Sequence, residues 1–316
     1  MEMHADDEFS RAFDYASGAT AQRFQNPLWA ITEKLTGRKL RKSIAVVKDF
    51  GRRIVASAVQ DRDKHQTSTE EDSKLDQISG SLIQSLLEAL DDEQTAADAA
   101  LTYLSAGRDT TGQALTWTFY LLLQHPTAMA KIRAEVHHLL SQQQSPDTNS
   151  TTAAPNPTLF TPASLPYTTA VWHEALRLYP PIPFEIRQCQ APTTLPDGTF
   201  LPASSVLVWC LWAMGRSRQT WGDDAAEFRP ERFLEGDKFV LGKGVGEFPV
   251  FYGGARACLG RKMADAVAAQ VIPTVVWGFE MEPAWQGERG SGSSLTLPME
   301  GGLPVWVRGR AGVDNA

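Results

Sequence analysis

Residues 248–264 read FPVFYGGARACLGRKMA, and this stretch carries the pattern that decides the fold. Cys258 lies between a glycine turn and a run, LGRKMADAVAAQVI, whose pattern is typical of a helix. A cysteine at a helix N-terminus meets free N–H groups and the helix dipole, which favour the thiolate. Gly253 and Gly254 permit turns that other residues avoid and the close approach of a flat ligand, while Arg256 offers a cation to a carboxylate. The alternative is a buried structural cysteine in a glycine loop.

The composition is that of a globular protein and argues against several classes of function. The chain has 316 residues, 42% of them hydrophobic, and a net charge of -7, so it lacks the basic excess of nucleic-acid-binding proteins. Its three cysteines are too widely spaced to indicate a disulfide framework. No apolar run reaches the about 18 residues that span a bilayer, and no signal peptide is visible. We therefore expect one large domain or two smaller ones in a reducing compartment.

Hydrophobic periodicity predicts a mainly helical chain with a smaller strand-rich part. Short strands are expected between Pro183 and Trp212, and a C-terminal hairpin is expected to join LTLP to LPVWV through residues 299–302. The Ser/Thr/Gln/Pro-rich segment 142–158 is predicted to be a low-complexity surface loop. Helices are predicted over residues 8–22, 27–62, 75–90, 95–125, 127–141 and 167–179.

Two glycines and a threonine pair interrupt the helix predicted over residues 95–125. Gly107 and Gly112 each cost a helix about 1 kcal/mol, and Thr110 can hydrogen-bond a carbonyl one turn back and so loosen the helix. With the Asp109 carboxyl beside it, this point would form a small polar notch, suited to ordering water and passing protons. The alternative is an ordinary helix with a few polar residues on its wet side.

Two further motifs carry charges that can meet. Glu174 and Arg177 are three residues apart on a predicted helix, so they share a face and can pair. Arg232 belongs to the segment FRPERF, whose proline excludes regular helix and central strand, and whose charges can reach that pair. The alternatives are an exposed ion pair, worth about 0–1 kcal/mol, and a surface loop.

All four motifs stand in one order on one chain, and together they resemble the cytochrome P450 superfamily, the haem-thiolate monooxygenases. The family's haem-loop pattern, Phe-x-x-Gly-x-Arg-x-Cys-x-Gly, is matched in full by residues 251–260, with Ala255 where proline is frequent. The resemblance implies the cytochrome P450 fold, mainly α with a smaller β portion. It covers nearly all of residues 1–316 but begins at about the family's F helix. The expectation is therefore an N-terminally truncated fold, the C-terminal part of a single cytochrome P450 domain.

The resemblance implies a role for each residue around the predicted haem loop. Cys258 is expected to ligate the iron of haem b (iron protoporphyrin IX) as a thiolate, which favours O–O cleavage. Arg256 and Arg187 are expected to pair with the haem propionates. The remaining expected cofactor-binding residues are Phe251, Gly254 and Gly260.

Further roles are implied for residues outside the loop. Asp109 and Thr110 are similar to the family's acid–alcohol pair, which delivers protons for oxygen activation, and Gly107 would leave room for oxygen against the helix. A second set is expected to form a buried charge triad that fixes the fold around the haem loop. This structural triad consists of Glu174, Arg177 and Arg232.

The implied function is a monooxygenase that inserts one atom of O2 into a small apolar substrate. AGRDTT and EALRLYPPIPFEIR resemble fungal alkane and fatty-acid hydroxylases and plant fatty-acid ω-hydroxylases, so a long aliphatic substrate is expected. Residues 242–246, GKGVG, lack the glycine spacing of a dinucleotide site, so electrons are expected from a partner, NADPH–cytochrome P450 reductase. The family implies that the intact parent lies at the cytosolic face of the endoplasmic reticulum membrane.

Two other functions stay open at this point. A haem-dependent isomerase or dehydratase would turn over without a reductase, although such relatives tend to lose the acid–alcohol pair. A truncated, non-catalytic product or interaction module would bind haem weakly and expose apolar surface. The absorbance spectrum of the reduced protein with carbon monoxide tests these readings, since a haem-thiolate enzyme shows the band typical of thiolate-ligated ferrous haem.

Overall fold

The structure is a computed structural model that describes residues 2–24, 26–65, 83, 85–87, 89–90, 92–142, 157–292 and 295–310. Most of the helix predicted over 75–90 and most of segment 142–158 lie outside the described residues. The chain divides into two units, residues 1–109 with 293–295 and residues 110–292 with 296–316. The described part is mainly helical with small sheets, as the resemblance implied. None of its helices is both long enough and apolar enough to cross a membrane.

The first unit is built from helices. Helix α1 packs against α3 through the stacked rings of Phe9 and Phe50, whose centroids are 4.1 Å apart. A small apolar core forms farther along α3 around Val55, with Ala96 and Ala97 from α4. The helices of this unit are α1 (Glu2–Ala21), α2 (Trp29–Thr36), α3 (Arg38–His65) and the first part of α4 (Glu93–Gln124).

The long helix predicted over residues 27–62 is divided in two at Gly37, so its predicted extent is wrong. The Gly37 N–H donates to the Glu33 carbonyl at 2.9 Å and closes α2. The Arg41 guanidinium donates to the same carbonyl at 3.0 Å. A Cβ at position 37 would lie 2.3 Å from that oxygen, so the close approach requires glycine. The break therefore depends on a local contact that apolar periodicity does not report.

The second unit surrounds a buried helix. From Thr168 to its end, every residue of α6 (Pro166–Leu178) is buried. It packs against α5 (Pro126–Ser141) and α9 (Arg261–Gly278), which both contribute to the apolar core around it. A helix that is enclosed on all sides yet carries charged residues must find partners for them inside the protein. The other helices here are the rest of α4, α7 (Leu211–Met214) and α8 (Arg218–Trp221).

The described strands of the second unit form two-stranded antiparallel sheets. In the sheet that matters for the site, β1 (Phe184–Gln188) pairs with β4 (Val206–Cys210), and Glu185 stands opposite Trp209. The strands expected between Pro183 and Trp212 are therefore present. The other pairs are β2 (Thr193–Thr194) with β3 (Phe200–Leu201), β5 (Leu234–Glu235) with β6 (Lys238–Phe239), and β7 (Phe279–Pro283) with β8 (Val305–Gly309).

The predicted C-terminal hairpin is wrong in its pairing. Strand β8 pairs with β7, the strand that follows α9, and not with LTLP. LTLP is held elsewhere, because the Leu297 N–H donates to the Pro181 carbonyl at 2.9 Å and Met299 forms an isolated bridge with Ser291. The turn expected at residues 299–302 does form, with Gly301 at a φ of 70°. Two strand-like segments that are adjacent in sequence, LTLP and LPVWV, are thus not partners in a sheet.

The start of α6 is capped by a side chain from α5. The half-buried carboxylate of Glu135 accepts the N–H of Tyr167 at 2.6 Å and that of Thr168 at 2.9 Å, and also the Thr168 hydroxyl at 2.6 Å. N–H groups in the first turn of a helix lack intrahelical partners, and the helix dipole favours an anion there. Burial raises the pKa of Glu135 above its ordinary value, and these hydrogen bonds oppose that effect. Glu135 therefore fixes where α6 begins.

We predict that Glu135→Ala lowers the free energy of unfolding by about 2–4 kcal/mol, because three hydrogen bonds to a charged acceptor are lost. Urea unfolding followed by circular dichroism measures this loss. The matched control is Glu282→Ala, whose carboxylate pairs with Arg308 and is 64% exposed, so its loss should stay below about 1 kcal/mol. Equal losses in the two variants would contradict the capping role.

Candidate functional site

The second unit contains an apolar cavity of about 200 Å³. Its walls come from α4, α6, residues 180–185 and the loop 250–258 that precedes α9. Polar groups are few, and two of them, the Cys258 thiol and the Arg256 guanidinium, belong to the loop. Such a lining is typical of a site for a small, largely apolar ligand. The apolar walls include Ala114, Leu176, Ile182, Val250 and Phe251.

The loop that carries Cys258 is shaped by its backbone. Gly254 has a φ of 64°, a left-handed conformation that a residue with a side chain adopts only at a cost. A 3-10 turn follows over Gly254–Arg256, and the Cys258 N–H then donates to the Phe251 carbonyl at 2.8 Å. Gly260 is the N-cap of α9, so Cys258 lies two residues before the cap and not in the first turn of the helix. The thiol is exposed and lines the cavity.

Helix α4 runs without a break through the segment that was expected to interrupt it. Thr110 and Thr111 of this helix line the cavity. Gly107 lies in the same helix, three residues before Thr110. The Asp109 carboxylate accepts from the Arg108 guanidinium at 2.9 Å, and Arg108 also donates to Asp14 at 2.8 Å. Burial raises the pKa of Asp109 above its ordinary value, and the charge of Arg108 offsets only part of that effect.

The structure brings Glu174, Arg177 and Arg232 together in the core. The Arg177 guanidinium donates to both oxygens of Glu174, each at 2.7 Å, and the Arg232 Nε–H donates to Glu174 Oε1 at 2.9 Å. The backbone N–H of Arg229 is a further donor to Oε1 at 2.8 Å. The side chains of Glu174 and Arg177 are fully buried and that of Arg232 is 5% exposed. The alternatives of an exposed ion pair and a surface loop are therefore wrong here.

The two arginines expected at the cofactor differ in position. Arg256 lines the cavity. Arg187 lies on β1, exposed and outside the lining, with its guanidinium carbon 4.5 Å from the ring centroid of Tyr252. Sequence analysis missed Tyr252 and Glu185, which both line the cavity and are joined by a 2.5 Å hydrogen bond. The available signal was the strand pattern, since Glu185 and Arg187 are two residues apart and so share a face.

Comparison with known proteins agrees with this geometry. The sequence model of the family described as Cytochrome P450 matches residues 1–296. The chain belongs to the cytochrome P450 family. Cytochrome P450 CYP94D108 of Paris polyphylla is 33% identical, over 95% of this chain and 58% of that protein. Cytochrome P450 94A1 of Vicia sativa is 30% identical, over 96% and 57%, and Cytochrome P450 86B1 of Arabidopsis thaliana is 31% identical, over 94% and 54%.

The chain thus spans little more than half the length of these cytochrome P450 relatives. All three are plant proteins, so the fungal affiliation suggested by the sequence gains no support from them.

Family membership implies haem b as the cofactor, and the residues present fit that group. Haem is a flat, largely apolar ring with two carboxylates and an iron that accepts a thiolate. The cavity supplies apolar walls, the exposed Cys258 thiol and the Arg256 guanidinium. Gly254 places no side chain on its side of the loop. A Cβ at this position would point into open space, with no heavy atom within 4 Å.

The charge cluster predicts a contrast between two neighbouring arginines. Arg232→Ala should lower the free energy of unfolding by about 3–5 kcal/mol, because it removes one of the two guanidinium groups that compensate the buried Glu174 carboxylate. Arg229→Ala is the matched control, since its guanidinium pairs with Asp224 and is 53% exposed, and the backbone N–H at position 229 survives the substitution. The control should lose less than about 1 kcal/mol. Thermal or urea unfolding distinguishes the variants, and a loss below about 1 kcal/mol for Arg232→Ala would contradict the assignment.

Proposed function

We propose that this chain is the catalytic part of a haem-dependent monooxygenase that inserts one oxygen atom from O2 into an aliphatic substrate. The observation that carries the proposal is a single apolar cavity lined both by the Cys258 thiol and by the Thr110 side chain. A thiol alone would fit a structural cysteine. A thiol and an α4 hydroxyl on one apolar cavity fit a site where a cofactor is held and protons are delivered.

The residues of the loop would hold the cofactor. Cys258 would bind the iron as thiolate, and the Arg256 and Arg187 guanidinium groups would meet the two propionates. When bound, haem with a thiolate ligand supplies O–O bond cleavage and transfer of one oxygen atom to the substrate. The apolar walls around Phe251 and Leu176 would exclude water from the ring.

Proton delivery is assigned to α4. The Thr110 hydroxyl would hold a proton, or an ordered water, at the cavity wall. Asp109 precedes Thr110 in the helix, and burial raises the pKa of its carboxyl, so it retains a proton more readily than an exposed aspartate. Arg108, which is itself paired with Asp14, would stabilise the Asp109 carboxylate that remains once the proton has been donated, and a proton from solvent would then restore the acid.

The substrate class rests on the apolar lining and on the sequence resemblance to alkane and fatty-acid hydroxylases. Ile182 lines this cavity, whereas Phe184 and residues 297–303 do not. Relatives also include a protein named noroxomaritidine synthase 1 from Narcissus pseudonarcissus, 31% identical over 70% of this chain, so identity alone does not select a long-chain substrate. Electrons are proposed to come from an NADPH-dependent flavoprotein reductase at the cytosolic face of the endoplasmic reticulum.

The central test is the spectrum of the reduced, haem-loaded protein with carbon monoxide. We expect the band typical of thiolate-ligated ferrous haem in the unmodified protein, and its loss in Cys258→Ser, because an alcohol does not replace the thiolate as ligand. Cys189→Ser is the control and should keep the band. Failure of the unmodified chain to take up haem, or an unchanged band in Cys258→Ser, would overturn the proposal.

A second test concerns proton delivery. Thr110→Ala should lower the amount of hydroxylated product formed per NADPH consumed by about tenfold, because proton transfer by a positioned group contributes about 10²–10⁴-fold and water replaces it only in part. The matched control is Thr116→Ala, whose hydroxyl donates to the Gly112 carbonyl within α4. The control should keep the product yield of the unmodified protein. Equal yields for the two variants would remove Thr110 from the mechanism. Product formation that needs no reductase would instead contradict the monooxygenase assignment.

A further inference from the structure

A polar cluster joins the β1–β4 sheet to the Cys258 loop. Glu185 and Arg187 project from one face of β1, and Trp209 of β4 stands opposite Glu185 on the same face. The Tyr252 hydroxyl donates to Glu185 Oε2 at 2.5 Å. The Arg187 guanidinium lies over the Tyr252 ring, and Trp209 meets that ring edge-on with 5.9 Å between centroids. Tyr252 is therefore the residue through which the loop contacts both charges.

The backbone of Tyr252 shows that its side chain matters. Its φ is 57°, in the left-handed region that glycine tolerates and that a large side chain makes costly. A residue without a side chain would remove that cost. Strain that persists in a folded protein is repaid by other contacts and is concentrated at functional sites. At Tyr252 these contacts include the hydrogen bond to Glu185 and the stacked guanidinium of Arg187.

The charges around Tyr252 are arranged in an unusual way. Glu185 and Arg187 are opposite in sign and share a strand face, but they form no ion pair within the described residues. The Glu185 carboxylate instead accepts from Tyr252, and burial together with this hydrogen bond raises the pKa of Tyr252 to about 12, so the phenol stays a donor. Arg187 donates one N–H to the neighbouring Ile186 carbonyl. Its other N–H groups have no carboxylate partner among the described residues.

We propose that Tyr252 is a positioning residue that keeps the Glu185 carboxylate away from Arg187, so that this guanidinium remains available for a carboxylate of the haem. Without the phenol hydroxyl, Glu185 would take Arg187 as its partner, because the two side chains lie on one face of β1. Glu185 would then compete with the incoming carboxylate for the Arg187 guanidinium. The inference rests on the proposed function, since it concerns how the same site receives its cofactor.

The proposal is tested by a double-mutant cycle on haem affinity, measured by quenching of tryptophan fluorescence as haem is added. Tyr252→Phe should weaken haem binding about five- to tenfold, because Glu185 then pairs with Arg187. Glu185→Gln should strengthen binding about twofold, since it removes the competing charge. In the double variant, binding should return to within about twofold of Glu185→Gln alone.

A merely structural hydrogen bond gives the opposite pattern. In that case Glu185→Gln also weakens haem binding, and the double variant stays as weak as Tyr252→Phe, which would overturn the proposal. A second comparison shows whether Tyr252→Phe acts through Arg187 or simply disturbs the fold. In an Arg187→Gln background, adding Tyr252→Phe should change haem affinity by less than about twofold. A loss there as large as in the unmodified background also overturns it.

The outcomes separate this inference from the proposed function. If the unmodified chain binds no haem, or binds it without the thiolate band, both fail together. If the thiolate band is present and the cycle shows no rescue by Glu185→Gln, the proposed function stands and the positioning role of Tyr252 falls.

Discussion

The structure depends on one buried carboxylate. Glu174 is shared by two guanidinium groups and one backbone N–H, all within 2.9 Å of its oxygens. Taking such charges out of water costs several kcal/mol for each ion, and apolar residues of similar volume often replace buried ion pairs without loss. The network must therefore do something that apolar packing cannot do.

Its role follows from the other N–H groups of Arg177. They donate to the backbone carbonyls of Gly215, Ala225 and Glu227. These carbonyls belong to an irregular segment between β4 and β5, where no strand ladder or long helix satisfies them. Buried carbonyls without donors are costly, and a guanidinium provides five donors in a fixed plane. An apolar side chain at position 177 would leave them without these donors, so the ionic network is what allows this irregular segment to be buried against α6.

The sequence predicted those features that depend on local spacing and failed where a distant contact decides. Glu174 and Arg177 share a helix face by their spacing alone, and the strand pattern near Pro183 is local as well. Helix α4 is unbroken although its two glycines cost about 1 kcal/mol each. Burial of side chains such as Trp117 and Leu122 on the same helix contributes more stabilising free energy than the glycines cost. The partner of β8 was not predictable, since β7 lies more than twenty residues away and no spacing rule specifies it.

The loop around Cys258 shows the same division between local and distant causes. Its glycines and arginine are readable as a motif, and local backbone hydrogen bonds help to shape the loop, but its side chains also pack against neighbouring elements. On one side Arg261 of α9 lies over the Phe251 ring, 5.4 Å from its centroid. On another, His173 of α6, whose pKa is lowered by burial, packs beside the same ring. On the third, Tyr252 is held by β1. Because each support comes from a different element, the loop acquires one conformation only when α6, α9 and the β1–β4 sheet are all in place. The buried charge network, which anchors α6 to the segment that follows β4, is thus a precondition for the geometry of the site.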